Sequence, residues 1–405
     1  MTFKVKTKGQ IEGGKMLVPK LRFKEFNNNW NNEKISNAFA LSSGSTPNTK
    51  QRFFYTGNIN WVSSGELKRK YIVDTINKVS NIAIEKNNLK IYDIGTLLIA
   101  IYGLEASGVR GTCSILNIKA TISQACMALE SKNNISNEFM YYWYQKNGQW
   151  IGLRIAQGTK QQNLTAELIG NLEVEYPSID EQEKIVNFLS LLDKKIELQK
   201  QKIEALKIYK KGLIQKMYQK NYNNKIKMEK ILIQKSIRNT NDENYNVYSV
   251  SNKDGFILQT EQFKDRIVAS EDTKNYKVVE KDDFAYNPAR INVGSIARMK
   301  KDTKGIISPM YICFKCNEKI LPEYLEYFFE SSKFTYEMNK RLEGSVRMCL
   351  SYESMLNIPI ELPNKNEQEE ISKMLNNLSD KIKLEEEKWI KLKKLKKGLL
   401  QKMFI

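Results

Sequence analysis

The 405-residue chain contains no histidine. That absence removes Ser-His-Asp and Cys-His nucleophile systems, histidine-bearing zinc sites and the commonest general base in one step. Any catalysis would have to rest on carboxylates, lysine or tyrosine. Cysteine is scarce as well: Cys113, Cys126, Cys313, Cys316 and Cys349 are scattered and odd in number, which fits a reducing compartment better than a disulfide framework. Cys313-Phe314-Lys315-Cys316 has zinc-like spacing, but no second pair accompanies it. It lies in a strand-like run, Met310 to Cys316, where residues i and i+3 point to opposite faces, so no metal site is expected. No stretch approaches the roughly 18 apolar residues of a membrane span, and Met1 to Gln10 has no apolar signal-peptide core. A cytoplasmic protein without a membrane partner is expected.

Positive charge is abundant. Lys and Arg number 65 against 46 Asp and Glu, a formal net charge of +19, and such a field favours a polyanion, because neutralising phosphates releases condensed counterions. A merely lysine-rich soluble protein would carry the same charge, so charge alone does not decide. The length suits two or three domains, and a hydrophobic content of 41% is enough to give them cores.

The chain repeats itself. Tyr176-Pro177-Ser178-Ile179-Asp180-Glu181-Gln182-Glu183-Lys184-Ile185 returns as Leu362-Pro363-Asn364-Lys365-Asn366-Glu367-Gln368-Glu369-Glu370-Ile371, an offset of 186. The match continues without a gap to Lys210-Lys211-Gly212-Leu213 and Lys396-Lys397-Gly398-Leu399. Each copy opens with proline and a capping-box pattern, Ser178 with Glu181 and Asn364 with Glu367. Apolar residues then follow 3-4 spacing: Ile185, Leu189, Leu192, Ile196, Ile203, Leu206, Leu213 and Met217 in the first copy, and Ile371, Leu375, Leu378, Ile382, Trp389, Leu392, Leu399 and Met403 in the second. From Asp180 to Met217 such a helix would run about 57 Å at 1.5 Å per residue. The stripe is interrupted at matching places, Gln199 with Glu385 and Lys210 with Lys396. Since neither helix can bury its own stripe, the expectation is that the two copies pack on each other as an antiparallel coiled coil with a pseudo-twofold internal repeat.

The stretches before the helices read as mixed α and β, with strand-like runs such as Gly95 to Tyr102 and Val247 to Val250. Faint correspondence survives between them: Ile122-Ser123 with Ile307-Ser308, Glu138-Phe139-Met140 with Glu323-Tyr324-Leu325, and Gly158, Leu164 and Glu167 with Gly344, Leu350 and Glu353. Their middles diverge, as expected if the helices meet equivalent partners and the globular parts meet different targets.

Together these features resemble the specificity subunit of type I restriction-modification systems, from about Val18 to Ile405. Val18-Pro19-Lys20-Leu21-Arg22-Phe23 with Trp30 and Lys34-Ile35 is similar to the family's opening. Ser43-Gly44-Ser45-Thr46-Pro47, Ile59-Asn60-Trp61-Val62 and Ser64-Gly65-Glu66-Leu67 resemble the first segment of a target recognition domain. Tyr286 to Ile296 resembles a recurring recognition-domain segment, and each Pro…Glu-Gln-Glu helix ending in Lys-Lys-Gly-Leu resembles a conserved spacer region. The resemblance implies an α+β protein: a leader at 1–17 (Met16 being an alternative start), a first recognition domain at 18–176, a central helix at 177–221, a second recognition domain at 222–362 and a terminal helix at 363–405. It further implies a non-catalytic subunit that reads a bipartite, asymmetric double-stranded DNA target and docks two methyltransferase subunits, with restriction subunits joining them. S-adenosylmethionine, ATP and Mg2+ would then belong to the partners, with no cofactor in this chain. A subunit serving a fused restriction-methylation enzyme is the near alternative. A coiled-coil adaptor binding only proteins, or an autonomous methyltransferase, is the distant one.

Candidate DNA contacts are Arg290 and Asn292, in a turn suited to guanine and adenine readout, and the corresponding loops that begin at Gly158 and Gly344, which carry Lys160, Gln161, Gln162, Ser345 and Arg347. Lys50, Arg52 and Arg110 are further candidates. Tyr141, Tyr142 and Trp143 lie at helical spacing and read as core. Two motifs read as decoys. Gly9 to Lys15 approximates a phosphate-binding loop but is followed by Met16 in place of Ser or Thr, and Asn287-Pro288-Ala289-Arg290 lacks the aromatic of the amino-methyltransferase motif.

Overall fold

In the computed structural model the described residues are 3–5, 18–106, 108–132, 134–158, 162–220, 222, 224–252, 254–262, 273–344 and 348–405. The chain forms two units, Met1–Leu198 with Lys388–Ile405, and Gln199–Glu387. Each therefore contains a globular α/β part, the first half of the long helix that follows it and the last half of the other long helix. The helices run Ile179–Tyr218 and Lys365–Met403, 40 and 39 residues.

In the first unit a five-stranded sheet carries Leu97–Ala100 and Cys126–Ser131 at its centre, both fully buried over most of their length because apolar side chains occupy both faces. The helix Asn137–Arg154 packs on this sheet, and Tyr141, Tyr142 and Trp143 are core residues as the helical spacing predicts. Ser136 caps that helix, its hydroxyl accepting from the Phe139 N–H. A three-stranded sheet over Phe54, Trp61, Val79, Ala83 and Leu89 makes a satellite core. The second unit has two four-stranded sheets, and its counterpart helix is split into Pro322–Phe329 and Ser332–Asn339, with Ser331 capping the second piece.

The ends of the long helices complete these cores. Phe404 lies 5.0 Å from Phe139 in the first unit, and its repeat equivalent Tyr218 lies 4.9 Å from Tyr324 in the second. Leu400 and Met403 are buried with Ile185 and Leu189, and Ile214 and Tyr218 with Ile371 and Leu375. Within each unit the two helices thus run antiparallel. The expected stripe divides accordingly: Ile185, Leu189, Ile371 and Leu375 join the globular cores, and Ile203 and Ile382 are buried outside them. Leu192, Ile196, Leu206, Leu213, Leu378, Trp389, Leu392 and Leu399 are half-buried.

The polar positions of the repeat have specific partners. Gln182 donates to the carbonyls of Asn134 and Pro177 and accepts from the Ser136 N–H. Gln368 repeats the arrangement with Lys319, Pro363 and Leu321. Both are fully buried, so the invariable feature of the Glu-Gln-Glu pattern is a side chain that satisfies three backbone groups where the globular part meets its helix. The interruptions resolve in the same way. Gln199 donates to the carboxylate of its own repeat equivalent Glu385 at 2.6 Å, and Lys202 pairs with that carboxylate at 3.0 Å. Lys396 pairs with Asp193 at 2.5 Å and lies over Tyr142, while Lys210 pairs with Glu330 at 3.1 Å and lies over Tyr327. Tyr142 and Tyr327 in turn bond to Ser190 and Asp193 and to their equivalents Asn376 and Ser379.

One local expectation is corrected. Asn364 and Glu367 form the reciprocal capping box, but Glu181 does not reach back to Ser178. Its carboxylate instead takes a two-pronged bond from Arg22 at 2.8 and 2.7 Å, with the side chains only 5% and 1% exposed, and a desolvated charge-assisted pair outweighs a surface cap. Glu181→Gln strands the Arg22 guanidinium and should lower the unfolding free energy by about 3–5 kcal/mol. Asn364→Ala, at an exposed cap, should cost about 1 kcal/mol. Urea titration followed by circular dichroism measures both, and equal losses would contradict the weight given to the buried pair.

Candidate nucleic-acid interface

The two glycine-led loops rest on the same frame in both units. In the first, Gln157 and Asn163 exchange two backbone hydrogen bonds at 2.9 Å, and the Leu164 N–H bonds to the Ile101 carbonyl where the central strand ends. In the second, Glu343 and Cys349 exchange bonds at 2.9 and 2.8 Å, and the Leu350 N–H bonds to the Pro288 carbonyl. Gly158 and Gly344 open the loops at φ +114° and +108°, a backbone region that side-chain-bearing residues rarely adopt. Lys160, Gln161, Ser345 and Arg347 lie outside the described residues, as does Gly9 to Lys15.

Two of the remaining candidates come together in the first unit. Arg110 Nη2 donates to Gln162 Oε1 at 3.4 Å and to the Glu105 carbonyl at 3.3 Å. The Gln162 N–H donates to the Glu105 carboxylate at 3.1 Å, and the Leu104 N–H to the Gln162 carbonyl at 3.1 Å. Hydrogen bonds from the backbone N–H groups of Glu105 and Gln162, with Arg110 adding its charge, hold the Glu105 carboxyl below the usual carboxylate range. Glu105 carried no signal in the sequence, because a loop carboxylate without helical or strand periodicity looks like any solvated acid.

In the second unit Asn287 is buried and bonds within its own turn, its side-chain oxygen accepting from the Ala289 N–H at 3.0 Å. That leaves Arg290 and Asn292 exposed on the short turn Ile291–Val293, which is anchored by buried Ile291. The turn and the Gly344 loop are joined through Pro288 and Leu350. Lys50 and Arg52 are exposed on a different loop, beside the satellite core of the first unit. Among the described residues no hydrogen bond or ion pair links them to Arg110 or Gln162.

Cys313 and Cys316 lie on the strand Ile312–Cys316, and burial pushes both thiols up to about 12, as it does Cys126. Among the described residues no group of three or more Cys, Asp or Glu side chains is placed to hold a metal ion, and no helix is long and apolar enough to cross a membrane.

The family model described as type I restriction modification DNA specificity domain matches twice, at residues 27–207 and 224–394. The MjaIX specificity subunit of a type I restriction enzyme from Methanocaldococcus jannaschii is 28% identical over 181 residues, 44% of this chain and 41% of that protein. The MjaVIII specificity subunit from the same organism is 23% identical over 70% of this chain and 73% of its own length. The chain thus spans less than half of the first relative and most of the second. The S subunit from M. genitalium shares the fold, with a TM-score of 0.57 and 17% identity over 96% of this chain and 99% of that one. So does a chain from a study of assembly and conformational transition in the type I system, with a TM-score of 0.58 and 12% identity over 93% and 97%.

Because the thiolate is the nucleophile, alkylation at about pH 8 should leave Cys126, Cys313 and Cys316 unmodified in the folded protein and label them after denaturation. Mass spectrometry reads the difference, and rapid native labelling of Cys313 would contradict its burial.

Proposed function

The chain belongs to the type I restriction modification DNA specificity domain family, and from that membership we propose that it reads a bipartite, asymmetric DNA target without catalysing a reaction itself. The recognition domains at 18–176 and 222–362 each read one half. The observation that carries this is the repeated loop frame: equivalent residues close the same backbone bridges in both units, while the side chains displayed beside them differ, Gln162 in one and Arg290 and Asn292 in the other. A constant frame with variable polar side chains is what readout of two unlike half-sites requires, since base edges are distinguished by donor and acceptor pattern.

The helices at 177–221 and 363–405 set the gap between the halves and dock two methyltransferase subunits, through which restriction subunits join. Exposed apolar side chains along them, Leu191, Leu198, Ile208, Tyr209, Leu384, Ile390 and Leu395, support a docking role. Adenine methylation with S-adenosylmethionine and ATP-driven cleavage with Mg2+ belong to those partners, in the cytoplasm. The +19 charge supports binding that weakens log-linearly with salt.

Exchanging residues 18–176 for a homologous domain should change one half of the methylated motif and leave the other intact, as read by mapping methylated adenines across a genome with the cognate modification subunit present. Changes in both halves would refute independent reading. Inserting one heptad into each helix should lengthen the gap or abolish assembly, and a functional complex with an unchanged gap would refute the spacer role.

A further inference from the structure

The first unit seats Arg110 in a groove that the second unit lacks. Gly148 and Gly152 lie one turn apart on the helix Asn137–Arg154, where Arg110-Gly111 passes over them. A Cβ at Gly152 would stand 2.6 Å from Arg110 Cγ, and one at Gly148 would stand 2.9 Å from the Gly111 Cα. At the positions equivalent to these glycines the second unit has Phe334 and Met338, both buried. The Arg110 side chain thus runs along bare helix backbone, with its guanidinium directed at the Glu105 carbonyl and Gln162 Oε1, while the Glu105 carboxylate holds the Gln162 N–H.

We propose that Arg110 and Glu105, seated by Gly152, are positioning residues that fix the Gln162 end of the Gly158 loop and so set the sequence preference of the first domain, without themselves reading bases. The inference rests on the DNA-reading function proposed above. Geometry favours positioning over direct readout: a guanidinium already directed at two protein acceptors has fewer donors free for a guanine edge, which needs two in parallel. The carboxylate beside it would repel phosphate, but it accepts the Gln162 N–H and thereby fixes that residue's backbone. The second unit, with bulky residues in place of the groove, depends on the Pro288–Leu350 bond and on the Asn287 turn.

The test is selection of binding sites from a randomised duplex library by the full-length chain, comparing wild type with Gly152→Ala, Arg110→Ala, Glu105→Ala and Glu105→Gln. Discrimination among bases in one half-site should fall about tenfold in the three alanine variants. The other half-site should keep its preference, and Glu105→Gln should recover most of what Glu105→Ala loses, because an amide oxygen still accepts the Gln162 N–H. Melting curves separate this from general destabilisation, which would weaken binding to all sequences without relaxing one half-site. Unchanged discrimination in Gly152→Ala and Arg110→Ala overturns the clamp and leaves the reading function standing. A wild-type chain with no preference in either half overturns the reading function, and the clamp with it.

Discussion

An amphipathic helix cannot bury its own apolar stripe, and this chain contains two of them, each of 40 residues or nearly so. Their burial governs the rest of the structure. The beginning of each helix packs on the globular part that precedes it, and its end completes the core of the other unit, where Phe404 and Tyr218 meet aromatic partners at almost the same distance, 5.0 and 4.9 Å. The helices are therefore parts of both cores, and a change near the chain's last helical turn acts on residues such as Phe139 and Trp30, hundreds of positions earlier.

Polar groups define how the helices meet. A seam made only of apolar residues tolerates sliding, because one aliphatic contact replaces another at little cost. A glutamine bonded to a particular carboxylate, or a lysine held between a tyrosine ring and an acid, does not slide without leaving desolvated groups unpaired. Gln199 with Glu385, and Lys396 with Asp193 and Tyr142, are such points. Gln182 and Gln368 do the same where each globular part joins its helix, each satisfying three backbone groups. Equivalent polar positions were retained where helices and frames meet, while the displayed loops diverged.

The frame beneath those loops explains how one fold displays two unlike sets of side chains. Backbone bridges fix the loop ends whatever the side chains, as Gln157 with Asn163 and Glu343 with Cys349 illustrate, two unrelated residue pairs making one bond pattern. Side chains are then free to differ, and the support behind them differs too, with a glycine groove under Arg110 in one unit and an anchored turn carrying Arg290 and Asn292 in the other.

The sequence by itself determined the duplication, the two long helices and their stripes, the capping box at Asn364, the mixed α/β globular parts and the basic charge, because these follow from periodicity and composition that read locally. It also marked Gly158 and Gly344 as equivalent. Tertiary structure alone decided that Glu181 serves Arg22 in preference to Ser178, that Ile185, Leu189, Ile371 and Leu375 of the expected helix stripe belong to globular cores, and that Glu105 joins Arg110 and Gln162. Each of these joins residues distant in the chain through desolvated or geometrically exacting bonds, and such bonds leave no periodic trace: a carboxylate has the same letter whether it caps a helix, clamps a loop or faces water.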